Sequence, residues 1–503
     1  MAVLRPIQDV GGRRAFEVRS PEDERLLGTL ECATEADVAQ ALLKARAAAE
    51  SWATVSIPER VRLTYRLLDL IVERLDPMIE RLTAETGRPE LDTMMIELFA
   101  VCDILNYYAK RAPSILADES VSLHYLKAQG KRARIVYRPL GVVGVISPWN
   151  GPFVLSINPA IQAVLAGNAV LIKPSEMTPD AGRLVGELFR DAGFPPDLVQ
   201  ILLGDGETGR ALVSAGVDKI TFTGSVPTGK RVALACAEQL IPCVLELGGK
   251  DAMIVLEDAD ISRAARCTVF SAMMNTGQFC SATERVYVHE SVAQPFIDAV
   301  VENVKTFKYG VDYGPFIMAR QCDIVERHVT EAVAAGARVL VGGKRKGNVF
   351  EPTVMVDVNH SMALMRDETM GPVIPIMVVK SEAEAIRLAN DSPFGLSASV
   401  FTKDAARGER IARQMKTGAA VVNDMAMTYG ALELPFGGFK ESGMGQVNGA
   451  MGLRNYVRAF PIMYEGLGLV DTSSVWHPVQ DAVVPGMKKA LKTMFGTVVR
   501  RFL

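Results

Sequence analysis

Three residues of this chain have types and settings suited to acyl chemistry. Cys280 lies in Asn275-Thr-Gly-Gln-Phe-Cys-Ser281, a stretch rich in turn formers. The thiolate is the reactive form of cysteine, and an ordinary thiol of pKa ~8.5 is only a few per cent ionised at pH 7. A working cysteine therefore needs a base or aligned backbone donors beside it. Glu246 ends an apolar run and leads into Leu247-Gly-Gly-Lys250, and a carboxylate at a strand end suits a general base. Asn150, in Pro148-Trp-Asn150, follows another apolar run and can donate side-chain N–H bonds to an oxyanion. Each residue also has a plainer reading: a small core cysteine, a glutamate paired with Lys250, a turn asparagine.

Other segments point to a nucleotide. Gly204-Asp-Gly206-Glu-Thr-Gly209 fits the G-x-G-x-x-G pattern between a strand and a helix, a weak signal alone because glycines after strands are turn formers first. Phe222-Thr-Gly224-Ser225 is a second strand, glycine turn and helix start, where backbone N–H groups favour a pyrophosphate. Lys173-Pro-Ser-Glu176 follows the strand 169–172. A lysine and a glutamate there can bind ribose hydroxyls, and the carboxylate repels a 2′-phosphate. The plainer readings are a capped helix and a solvated charge pair.

The elements that must position these residues follow from the apolar pattern. Val142–Ile146, Ala169–Ile172, Leu198–Leu203, Lys219–Phe222 and Cys243–Glu246 are short buried-strand runs separated by helical segments such as Asp180–Asp191 and Glu207–Ala215. Such alternation predicts a parallel, doubly wound α/β sheet, with ligands beyond the strands' C-terminal ends. Residues 282–305 and 321–345 alternate likewise, so a second α/β unit is expected, ending near Pro435-Phe-Gly-Gly438. Ser56-Ile-Pro-Glu59 reads as a capping box, and Pro77 interrupts the helix that follows. Residues 119–139 alternate as a β-hairpin turning at Gln129-Gly130-Lys131.

Composition narrows the function classes. The chain has 503 residues, 49% apolar and 22% charged, which excludes global disorder. A net charge of −3 with no long basic block gives no footprint for nucleic acid. Seven scattered cysteines with no Cys-x-x-Cys, and five histidines without ligand spacing, predict neither a disulfide framework nor a metal site. No secretory signal or run of about 20 apolar residues is found, so a cytoplasmic location is expected.

Taken in order, Pro148-Trp-Asn150, Lys173-Pro-Ser-Glu176, Phe222-Thr-Gly-Ser225, Glu246-Leu-Gly-Gly-Lys250, Gln278-Phe-Cys280, Glu368-Thr-Met-Gly-Pro372 and Pro435-Phe-Gly-Gly438 resemble the aldehyde dehydrogenase superfamily from about residue 20 to 460. The 34-residue step from Glu246 to Cys280 matches that family's spacing. The resemblance implies a Rossmann-like cofactor domain (1–118 and 140–247) and an α/β catalytic domain (248–446). It also implies oligomerisation strands at 119–139 and 454–464, and leaves a C-terminal extension at 465–503. It implies NAD as cofactor, with NADP also admitted, an aldehyde substrate, and a homodimer or homotetramer. Cys280 takes the nucleophile's position, Glu246 the general base's and Asn150 the oxyanion donor's. CoA-acylating relatives usually lack the glutamate, so a free carboxylic acid is the expected product. The implied cofactor residues are Ile146, Trp149, Lys173, Glu176, Gly206, Phe222, Gly224, Ser225, Leu247 and Glu368, and Asn423 falls in the strand before the substrate-side loop. Three departures stand out: Met370 in place of the usual Phe, a short Cys280–Glu368 stretch, and Gln446 in place of the usual Arg.

Ile157-Asn-Pro159 looks like the subgroup that oxidises fatty and aromatic aldehydes. Met273, Met274, Phe279, Met425, Met427 and Tyr429 are candidate mouth residues for an apolar substrate, or else core. Succinic semialdehyde is the alternative substrate, and a catalytically silent, membrane-associated scaffold the alternative of another class. In residues 484–503, Met487, Leu491, Met494, Phe495, Val498 and Phe502 share a helical stripe beside Lys488, Lys489, Lys492, Arg500 and Arg501. That pattern suits peripheral membrane contact or packing on the protein.

Overall fold

The structure, a computed structural model, describes residues 4–10, 13–124, 126, 130–425, 428–465, 476–477 and 481–496. An antiparallel sheet of β1 (Leu4–Val10), β2 (Arg13–Arg19) and β3 (Leu26–Glu31) opens the chain. Helices fill most of residues 35–115. Ser56 caps Ile57–Glu73 by accepting from the Glu59 backbone N–H, but only half of the expected box forms, because the Glu59 carboxylate binds Arg62 instead. Pro77 sits in the first turn of the next helix, Leu75–Thr86, where its missing N–H costs nothing.

The hairpin consists of β4 (Glu119–Val121) and β5 (Lys131–Pro139), and its predicted turn falls largely outside the described residues. The strand Val457–Glu465 pairs with β5 along nine residues. This is later than the expected 454–464, because Arg454 ends the helix Gly449–Arg454.

Next come β6 (Val142–Ile146), β7 (Ala169–Lys173), β8 (Val199–Ile201), β9 (Lys219–Thr223) and β10 (Cys243–Glu246). They form a parallel sheet in the order β10-β9-β6-β7-β8, with the short strand Gly443–Met444 antiparallel on the β10 edge. Every residue of β7 is buried, as a strand covered on both faces requires. Strand order reverses between β6 and β9, so the ligand crevice of such a sheet opens at the ends of those two strands.

From Glu246 the chain crosses, through four residues, into a second sheet built on β11 (Asp251–Val255) and β12 (Thr283–His289). The crossing places the end of β10 against the segment that carries Cys280. A Cβ on Gly249 would lie 2.4 Å from the Cys280 carbonyl oxygen, so only glycine allows this approach.

Candidate active site

Cys280 follows an unusual turn. After the helix Ile261–Met273, Asn275 (φ 55°), Thr276 (φ 56°) and Gly277 (φ 72°) are successively left-handed. Two non-glycine residues in that region store strain that surrounding bonds must hold. Asp92 accepts from the Asn275 backbone N–H at 2.8 Å, and Arg88 donates to Asn275 Oδ1 at 2.8 Å.

Arg88 is the residue sequence reading missed. Its guanidinium pairs with Glu97 at 2.9 Å, both side chains almost fully buried, and also donates to the Asn150 carbonyl at 2.6 Å. One cation thus ties the Cys280 turn to the Asn150 loop. The only sequence signal was a charged residue between Gly87 and Pro89. Arg88→Met is expected to cost about 3–5 kcal/mol in urea unfolding, because Glu97 is left buried without its cation. In the surviving folded fraction kcat should fall more than KM rises.

Asn150, Glu246 and Cys280 line one cavity. Asn150 Nδ2 donates one N–H to the Gln278 carbonyl at 3.1 Å and keeps a second. The Glu246 Oε1 atom is buried without a hydrogen-bond partner, and burial holds this carboxyl well above the usual carboxylate range. Burial first, then the charges of Glu246, Asp251 and Glu368, raise the Cys280 thiol. Lys250 does not pair with Glu246: it binds Glu284 at 2.6 Å and Thr369 at 2.9 Å.

The cavity walls include Ile96, Val154, Leu155, Phe270, Met274 and Phe279, and among the described residues no lysine or arginine lines it. Asn158 and Tyr429 form its polar end, joined by a 2.9 Å hydrogen bond from Asn158 Nδ2 to the Tyr429 hydroxyl. Of the expected mouth residues, Met274, Phe279 and Tyr429 are placed here. Met273 instead packs in the core, Met425 lies in an adjoining surface pocket, and Met427 is outside the described residues. Asn423 is not in a strand: it follows Val421–Val422 with φ 60° and brackets Thr402.

The expected cofactor residues gather at strand ends. Ile146 ends β6, Lys173 ends β7, Phe222 is the penultimate residue of β9, and Leu247 follows β10. Lys173 and Glu176 are paired at 2.8 Å. Ser225 starts the helix Val226–Glu238 without a side-chain cap, so the first N–H groups of that helix are left for another acceptor. Glu368 accepts from the Gly249 N–H at 2.9 Å, and burial, then the Glu284 charge, push it up to about 8. Gly206 follows β8, the sheet's edge strand, rather than the crossover point, although Gly209 in the same turn comes near the Lys173 side chain.

A family model described as aldehyde dehydrogenase matches residues 8–460. The chain belongs to the aldehyde dehydrogenase family. As a member it is an NAD(P)-dependent oxidoreductase with a Rossmann-like α/β fold. It is 40% identical to a 4,4'-diapolycopene aldehyde oxidase of Methylomonas sp. over 95% of this chain and 91% of that one. It is 37% identical to a Mycolicibacterium smegmatis protein provisionally named succinate-semialdehyde dehydrogenase (NADP(+)), over 90% and 89% of the two chains. A Mycobacterium tuberculosis aldehyde dehydrogenase solved with NAD+ superposes with a TM-score of 0.85 at 32% identity, covering 92% of this chain and 98% of that one. Among the described residues, no group of His, Cys, Asp and Glu could hold a metal, and no helix is long and apolar enough to cross a membrane.

Proposed function

We propose that this aldehyde dehydrogenase oxidises an apolar aldehyde, aliphatic or aromatic, to the free acid, with Cys280 as nucleophile, Glu246 as base and Asn150 as oxyanion donor. The observation that carries this reading is the meeting of those three side chains in a largely apolar cavity that no cation lines among the described residues. The Cys280 thiolate attacks the carbonyl carbon, and the freed electron pair settles on oxygen. The spare Asn150 N–H and the Cys280 backbone N–H receive that oxyanion, each donor worth roughly 3–4 kcal/mol in such sites. When bound, the nicotinamide supplies the two-electron acceptor for the substrate carbon. Glu246 then takes a proton from the water that attacks the Cys280 thioester, and the acid leaves as the thiolate is restored. Burial raises the proton affinity of this carboxylate above the ordinary carboxylate range, which strengthens it as a base.

The residues at the strand ends suit the cofactor. Lys173 and Glu176 take the adenosine ribose, and Glu176 favours NAD over NADP by repelling a 2′-phosphate. Gly224, Ser225 and the open helix start take the pyrophosphate, and Glu368 the nicotinamide ribose. Ile146, Trp149, Gly206, Phe222 and Leu247 form the walls. In this reading residues 248–446 form the catalytic domain. The three-stranded sheet would join protomers, supported by exposed Phe460, Ile462, Met463 and Tyr464 on its outer strand.

A second reading, succinic semialdehyde, draws on Arg263 and Arg266 in a surface pocket that shares Phe270 with the cavity. Arg263 is already bound to Asp424 at 3.0 Å, which weakens that pair as a carboxylate clamp. Steady-state kinetics separate the two. Apolar aldehydes are expected to exceed succinic semialdehyde in kcat/KM by at least about tenfold, since no cation among the described lining residues offsets burying a carboxylate. The opposite ranking, lost in Arg266→Ala, would establish the second reading.

A further inference from the structure

We infer that the C-terminal helix Val483–Phe495 docks the enzyme on an anionic lipid surface. None of its residues is buried, so it does not use the chain's own core as its partner. Val484, Met487, Leu491 and Phe495 are each 48–55% exposed and recur at spacings of three, four and four, which puts them on one stripe. Lys488, Lys489 and Lys492 flank that stripe on one side. From residue 483 to the end the sequence has five basic residues and no acidic one, in a chain whose net charge is −3.

The charge pattern selects the occupant. A second copy of the helix would bring the same lysines together with no acidic residue on either helix to neutralise them. An anionic bilayer surface supplies the missing negative charge, while its acyl boundary takes the apolar stripe. The helix is far too short to span a bilayer, so the contact is in the plane of the interface. This inference is independent of the substrate reading, although an aldehyde dissolved in lipid would gain from it.

Flotation of the full-length enzyme with phosphatidylcholine vesicles, with and without 30% phosphatidylserine, tests it. The wild type is expected to float with the anionic vesicles and to be released by high salt. Met487→Asp/Leu491→Asp, and separately Lys488→Gln/Lys489→Gln/Lys492→Gln, should each lower the bound fraction at least about tenfold. Both variants should oxidise a water-soluble aldehyde at the wild-type rate, which shows that they are folded. Failure of the wild type to float, or equal flotation of all three proteins, would overturn the inference. So would a change of oligomeric state in either variant without any lipid effect, which would assign the stripe to another copy.

Discussion

Cys280→Ala is expected to lower aldehyde oxidation by roughly 10⁴-fold or more while leaving the protein folded and able to bind NAD. The size follows from the absence of a substitute. The cavity holds no second thiol and, beyond Ser281 and the threonines, no hydroxyl near a base except that of Tyr429. The threonines are Thr221 and Thr223 at the strand end. Neither they nor Ser281 would be ionised near neutral pH, so none can form the covalent intermediate efficiently. Removing one sulfur from a part-buried position leaves a small gap, so the thermal midpoint should move by only a few degrees. Cofactor binding followed by fluorescence, together with a circular dichroism melt, separates a lost nucleophile from a lost fold. Retained turnover in Cys280→Ala would remove the covalent mechanism.

Glu246→Gln is expected to change the form of the progress curve as well as its rate. Attack on the carbonyl needs a thiolate, but release of the acid needs a base beside the thioester. The variant should therefore form about one equivalent of NADH per active site and then slow by roughly 10²–10⁴-fold, the usual span of general-base catalysis. The wild-type pH profile carries the same signature. Burial holds the Glu246 carboxyl protonated to higher pH than an ordinary glutamate, so the base is switched off on the acid side. Acyl release should rise with pH through a midpoint well above the usual carboxylate range, and this limb should be missing in Glu246→Gln. A midpoint at the ordinary glutamate value would show that the residue is not desolvated in the working enzyme.

Much of this site was legible in the sequence because strand ends carry it. Glu246, Lys173 and Ile146 each close an apolar run, so their placement at one edge of a parallel sheet follows from the run itself. The joining of Glu246 to Cys280 was expected from the family resemblance and its 34-residue step alone, and Gly249, between β10 and β11, is what permits the close approach. What stayed hidden depends on pairing across long separations. Arg88 reaches Asn275 and Asn150 through contacts 187 and 62 residues apart, and no local pattern announces them. The sequence suggested Glu246 as the partner of Lys250, but Glu284 takes it, because it lies buried beside the 368–372 loop and also accepts from the Thr369 and Met370 N–H groups. Met273 and Met274 are neighbours, yet one packs in the core and the other lines the cavity, because the helix ends between them. The C-terminal stripe was visible at helical spacing, but only the structure shows that no residue of the helix Val483–Phe495 is buried.

In the proposed reaction the aldehyde carbon becomes bound to Cys280 and waits there for Glu246. Intact-protein and peptide mass spectrometry of Glu246→Gln, mixed with NAD and a slight excess of an apolar aldehyde, tests this most directly. One acyl group per chain is expected, on the Cys280 peptide, appearing with the NADH burst and absent from Cys280→Ala/Glu246→Gln. Sustained NADH production with no adduct, or an adduct on one of the other six cysteines, would contradict it.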